Sequence, residues 1–167
     1  IYTGEDTLSL HDALPILTQD KEHFDFYAEV QQVMHGLEST ALVLAARDAP
    51  IAVFADRQLV HVVLKNLMEN ALKYTAANST VHMQVDTVVC EHGTQMARFS
   101  ISNTPGDSGW PDPDRMFSKY YRSAGAHRTT GSGLGLHLSK HVAVYLGGDL
   151  LYVPYQQLVR FEFCLPV

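Results

Sequence analysis

Apolar residues along this chain recur with two different periods, and the changes between them mark out the elements. Phe26, Val30, Val33, Met34, Leu37 and Ala41 return at helical spacing. Residues 26 to 46 are therefore expected to form one amphipathic helix, with the apolar run ALVLAA (41 to 46) as its end. Asp25 stands where an N-cap would. After Pro50, IAVF reads as a short strand, and Asp56 is placed to cap a second helix, Arg57 to Thr75. VHMQVDTVV (81 to 89) alternates as a half-buried strand does. Glu91 to Gln95, around Gly93, reads as a hairpin turn, and MARFSISN (96 to 103) as the partner strand. Residues 104 to 131 keep no period and hold only a helical scrap, Asp112 to Tyr121. Leu134 to Leu146 is helical again and stops at Gly147-Gly148. Two more strands are expected around 149–153 and 158–165. The order predicts an α/β (α+β) two-layer sandwich, a mixed sheet covered on one face by helices.

Composition supports a single domain of this kind. The chain has 167 residues, 46% of them hydrophobic and 18% charged, which suits one compact core. The net charge of −6 argues against a nucleic-acid surface, which rewards a basic patch. No apolar run approaches the ~20 residues that a membrane-spanning helix needs. Cys90 and Cys164 stand in no metal-binding spacing and are expected to be two buried thiols in a reducing compartment. Residues 1 to 20 show no period and read as a disordered tail.

Two segments carry candidate chemistry. In VLKNLMENALKYT (63 to 75), Asn66, Glu69, Asn70 and Lys73 share an arc of about 100° on a helix, opposite Leu64, Leu67, Met68 and Ala71. Amide oxygens suit a hard cation such as Mg²⁺, and a lysine suits phosphate. The same stripe would also serve as an ordinary solvated face. The second segment, GSGLGLHLSK (131 to 140), turns through Gly131, Gly133 and Gly135 into a helix. Such a turn presents free backbone N–H groups to an anion. It is neither a Walker loop nor a dinucleotide fingerprint, and a flexible loop with a helix cap would look the same.

Taken together and in this order, the segments resemble the catalytic, ATP-binding domain of bacterial sensor histidine kinases. That domain belongs to the wider gyrase, chaperone and mismatch-repair ATPase superfamily, with its Bergerat-type fold. NLMENALKYT (66 to 75) resembles the family's N box, MFSKYYRS (116 to 123) its F box, and GSGLGL (131 to 136) its G2 box. FEFCLP (161 to 166) resembles its final strand. The resemblance covers residues 24 to 167 as one catalytic domain. It implies that Asn70, helped by Asn66, holds a Mg²⁺ ion on the phosphates of ATP. It implies phosphate contacts for Lys73 and Arg122, and packing near the adenine and sugar for Tyr74. Glu69 falls where many members place an acidic residue that helps activate the acceptor histidine. Phe117 would anchor a lid over 123–130. Gly131, Gly133 and Gly135 would line the triphosphate, with Leu134 and Leu136 behind.

One box departs from the family. Its G1 box reads Asp-x-Gly-x-Gly, and the aspartate accepts a bond from the adenine amino group. Here the stretch is SNTPGDSGWP (102 to 111), with Asn103 in the aspartate's place and Pro105 in the first glycine's. A neutral amide accepts that bond more weakly than a carboxylate. Pro105 also removes a backbone donor. Weaker or less adenine-selective binding is expected, with Asn103 favoured over Asp107 as the base contact.

The resemblance also calls for a phosphoacceptor histidine. Among nine histidines, only His11, in LSLHDALPI, has a suitable local pattern. Its proline follows four places on, where the acceptor box has it at five. An acceptor hairpin needs on the order of 50 to 60 residues, and most of the chain between His11 and Asn70 belongs to the ATP-binding domain itself. The first sixteen residues, with DTLSLHDALPI, resemble a translated sequencing adapter, so the tail is expected to be non-native. His61, His127 and His141 are read as surface or lid residues.

The expected function is transfer of the γ-phosphoryl group of Mg-ATP to a histidine on a separate dimerisation domain in two-component signalling. The partners would be that phosphoacceptor domain and a downstream response regulator, with no nucleic acid. The resemblance implies a cytoplasmic domain and allows an inner-membrane receptor as its parent. The alternatives are a nucleotide-poor regulatory pseudokinase and an anti-sigma-type serine kinase.

Overall fold

The computed structural model describes residues 20–90, 93–122 and 133–167. The tail reading, His11, His127 and Gly131 lie outside the described residues, as does the whole of the expected lid, 123–130.

A two-stranded antiparallel sheet opens the described chain, β1 (Lys21–Asp25) against β3 (Ala52–Asp56). β1 went unread in the sequence because only Phe24 and Asp25 in it are even partly buried. Between these strands lies α1 (Phe26–Gly36). Asp25 caps it, and its carboxylate accepts from the backbone of both Tyr27 (3.1 Å) and Ile51 (3.0 Å). One side chain therefore ties the start of the helix to the approach to β3.

The expectation of a single helix over 26–46 is overturned. α1 ends at Gly36, and Glu38 turns the chain with φ 48°. The run read as helical becomes β2 (Leu42–Leu44), which pairs in parallel with β4 (Val81–Val89). The helical period in 37–41 came from two apolar residues that happen to fall in phase. The ladder to β4 satisfies the backbone of 42–44 and buries Leu42, and that outweighs a weak local preference.

α2 (Arg57–Tyr74) starts where expected, with the Asp56 carboxylate accepting from Gln58 N (3.0 Å) and Leu59 N (3.1 Å). β5 (Gln95–Asn103), α3 (Gly135–Tyr145), β6 (Asp149–Tyr152) and β7 (Val159–Pro166) complete the elements. The main sheet runs β2-β4-β5-β7-β6, antiparallel except for the β2–β4 pair. The expected helical scrap at 112–121 is a run of turns, held by Met116 N donating to Asp112 O (2.9 Å).

The helices cover one face of this sheet, as the pattern predicted. Leu64, Leu67 and Met68 of α2 are fully buried with Phe99, Ile101 and Phe163 of the sheet. Phe26 of α1 joins the same core, its ring edge-on to Phe163 at 6.1 Å. The other face carries charge. Arg98 on β5 grips Asp86 on β4 through two bonds (2.9 and 2.7 Å) and stands 3.5 Å from Glu162 on β7. Burial was expected for both thiols; Cys164 is buried, but Cys90, at the end of β4, is exposed.

Candidate functional site

Four segments far apart in sequence (66–74, 103–122, 133–136 and 159–161) meet at one cavity of about 220 Å³. α2 supplies the first wall. Asn66, Asn70, Lys73 and Tyr74 line it, while Leu67 and Ala71 of the same helix lie deeper. The polar stripe is thus not a solvated face, though one member leaves it. Glu69 is turned outward, with a side chain 54% exposed and 3.9 Å from Lys65. No hydrogen bond to another described residue engages the Asn70 side chain. Lys73 lies over the Tyr74 ring at 5.0 Å.

Asn66 has a second task. Its Nδ2 donates to Ser139 Oγ on α3 at 2.8 Å. Its Oδ1 faces the backbone of Gly135, where an added Cβ would strike it. The first residue of α3 is therefore a glycine because Asn66 occupies the space a side chain would need. Gly133 is constrained twice, by φ 72° and by Tyr120 and Tyr121 backbone atoms under 3.0 Å from any Cβ. Gly133, Gly135 and Leu136 all line the cavity. Leu134 does not line it and is 37% exposed.

The end of β5 supplies the deep polar group. Asn103 lines the cavity and is only 4% exposed, with Nδ2 donating to Thr104 O at 3.3 Å. The chain after it docks on the end of α2. Thr75 bridges to Pro105, Ala76 N donates to Thr104 O (2.9 Å), and Gly106 N donates to Tyr74 O (3.0 Å). The donor that Pro105 lacks is thus supplied one residue later. Asp107 is exposed and does not line the cavity.

The remaining wall comes from the irregular segment after Asn103. Ser108, Pro111, Met116, Tyr121 and Arg122 line it, and Tyr121 Oη accepts from Asp112 N at 2.9 Å. Phe117 lies behind this wall. Its ring is edge-on to Phe161 at 6.3 Å, with the Lys140 ammonium 5.4 Å from its centre. Met116, Tyr121, Val159 and Phe161 were not foreseen as lining residues. Of these, Val159 and Phe161 had a usable signal, two positions on one face of the strand expected around 158–165.

An α/β sandwich whose cavity has two amides and a lysine on one helix, an arginine opposite and glycines at the start of the next helix is built as a nucleotide-binding domain is. Residues 55–167 match the family of histidine kinase-, DNA gyrase B- and HSP90-like ATPases, and the chain belongs to that family. It is similar to the adaptive-response sensory kinase SasA of Rippkaea orientalis, 29% identical over 99% of this chain and 40% of that protein. It is also similar to the swarming motility regulation sensor protein RssA of Serratia marcescens, 30% identical over 77% of this chain and 28% of that protein. The chain therefore spans well under half the length of these relatives. Among solved structures, the mycobacterial sensor histidine kinase MprB shares the fold, with a TM-score of 0.66 and 23% identity over 87% of this chain and 97% of that one. Full-length ShkA in complex with AMPPNP shares it too, with a TM-score of 0.64 and 22% identity over 88% of this chain and 31% of that one. The chain is thus an ATP-binding domain of the sensor histidine kinase type, and among the described residues no helix is long and apolar enough to cross a membrane.

Proposed function

We propose that this domain binds Mg-ATP and passes the γ-phosphoryl group to a histidine on a separate phosphoacceptor domain. The observation that carries this reading is the division of the cavity. Apolar Leu67, Ala71, Met116 and Phe161 stand with buried Asn103, while Asn70, Lys73, Arg122 and the Gly133–Gly135 backbone share the same cavity. A nucleotide needs that combination, a dry slot with one polar reader for the base and cations with backbone donors for the phosphates. Asn70 fits a Mg²⁺ ion, since its amide is uncommitted to described residues. Asn66 fits less directly, because Nδ2 is engaged by Ser139. Bound there, Mg²⁺ would neutralise phosphate charge. Lys73 and Arg122 would orient the γ-phosphate. The acceptor imidazole nitrogen would then form the N–P bond as the bond from Pγ to the bridging oxygen breaks and ADP leaves.

Glu69 suits a different part of this reaction. Facing outward beside Asn70, it stands where a docked acceptor domain would meet it, and there it would take up the imidazole proton. The unit that acts is residues 24–167, supported by Phe26 packing on Phe163 in the shared core. ShkA was solved with AMPPNP, which supports a triphosphate ligand here. The further partners of this reading are a response regulator and a sensor receptor in which this domain faces the cytoplasm.

Calorimetry with Mg-ATP, followed by transfer to a supplied acceptor hairpin, tests the proposal. Asn70→Ala is expected to lose both. If Asn70→Ala binds and transfers like wild type, the site assignment fails. A regulatory pseudokinase is the second reading, favoured by the neutral Asn103 and by Pro105 two residues after it. Absence of ATP binding at millimolar nucleotide would select it.

A further inference from the structure

We propose that His137 and His141, one turn apart on α3, form a binding site for a divalent transition-metal ion of the zinc class, separate from the nucleotide cavity. The ring centroids are 4.2 Å apart with the planes tilted by 51°. His137 Nδ1 lies 2.8 Å from Phe117 O, and His141 Nδ1 lies 2.8 Å from His137 O. A carbonyl oxygen only accepts, so both Nδ1 atoms carry the hydrogen. In the neutral rings both Nε2 atoms then carry a lone pair. No described residue donates to either Nε2. Two unshared acceptors on neighbouring rings are poorly matched to each other and well matched to a shared cation.

The carbonyl bonds have a second consequence. Metal-binding histidines characteristically donate their other nitrogen to a carbonyl or carboxylate, which fixes tautomer and ring direction. Both rings are held in that way before any ion arrives. Imidazole nitrogen suits Zn²⁺, Cu²⁺ and Ni²⁺ above Mg²⁺ or Ca²⁺. With metal–nitrogen bonds of about 2.1 Å, two centroids on one tetrahedral ion stand about 5 Å apart, so closure needs about an ångström of side-chain motion. Among the described residues no third His, Cys, Asp or Glu completes a cluster, so water would complete the coordination of a bound ion.

The site is coupled to its surroundings through His137. That ring holds the Phe117 carbonyl, while Leu136 beside it lines the cavity. An ion on the pair would stiffen the joint between α3 and the segment carrying Met116 and Tyr121.

The test is titration of the full, untagged chain with zinc chloride in a non-chelating buffer, by calorimetry and by histidine-ring nitrogen NMR. One ion per chain is expected, with two histidines shifting at Nε2. His141→Gln spares the bond to Phe117 and is expected to bind zinc about tenfold more weakly or worse. The double variant with His137→Gln should lose the site. Thermal unfolding without zinc checks that His141→Gln remains folded. The proposal is overturned if wild type binds no zinc at millimolar concentration, or if His141→Gln and the double variant bind as wild type does.

Discussion

Under the proposed function, Asn103 is the residue on which nucleotide selectivity would turn. It is buried in the cavity, and its amide offers both a donor and an acceptor where the family places a carboxylate. Charge-assisted bonds are roughly twice as strong as neutral ones. Asn103→Asp is therefore expected to tighten ATP binding by about tenfold, read by calorimetry; unchanged or weaker binding would remove Asn103 from the base contact. Cys164 shows burial acting on a single group. Burial, followed by the Glu162 carboxylate, raises its thiol from 9.0 to about 11. The folded state then holds a proton that the unfolded state has lost, so Cys164 costs stability as pH rises from about 9 to 11. Urea unfolding at both ends of that window should show a steeper loss in wild type than in Cys164→Ala. Below it the two slopes should agree.

At the scale of elements, two joints set where the helices sit. The α1–α2 joint holds Glu29, 1% exposed, between Arg57 Nε at 2.6 Å and His61 Nδ1 at 2.8 Å. His61 is thus not merely a surface histidine, because it helps to satisfy a buried carboxylate. The Arg57 guanidinium is 41% exposed, and its pKa is raised first by the hydrogen bond to Glu29. Arg57→Ala would leave Glu29 with only the histidine, at a cost of about 2 kcal/mol in denaturant unfolding, below the full penalty for a buried pair. The α2–α3 joint is the Asn66–Ser139 bond with Gly135 against it. Gly135→Ala must displace either the Asn66 side chain, breaking its bond to Ser139, or α3 itself, and a loss of about 1–3 kcal/mol is expected. ATP affinity should fall with it, since Gly135 and Leu136 form the wall. An alanine variant with wild-type binding would show that the wall tolerates the shift.

The described residues form one sandwich whose cavity lies between the cover helices and the end of the sheet. A ligand that binds only this folded arrangement stabilises it by about 2.7 kcal/mol at a hundredfold excess over Kd. Mg-ATP is therefore expected to raise Tm by several degrees in wild type and not in Asn70→Ala. A similar rise in the variant would place the nucleotide elsewhere. Under the proposed function the acceptor histidine lies on a separate phosphoacceptor domain. Transfer should then appear only when an acceptor hairpin is supplied.

Local chemistry settled much of this protein without the fold. Asp25 and Asp56 announced helix starts because a carboxylate before an apolar period satisfies free backbone N–H groups. Alternation placed β4, β5 and β7, and the spacing of Asn66, Asn70 and Lys73 put three cavity residues on one stripe. What only the tertiary structure decided rests on contacts between distant segments. Residues 42–44 became a strand because β4 offers a ladder, and no local period encodes a parallel partner some forty residues on. Glu69 left the stripe, standing exposed beside Lys65 rather than lining the cavity. Met116, Tyr121 and Phe161 joined the site because the irregular segment folds back over β7, a path set by packing rather than by sequence period. Periodicity records which side of an element faces the core. Which elements meet across that core depends on their combined shapes, and only the folded chain brings those together.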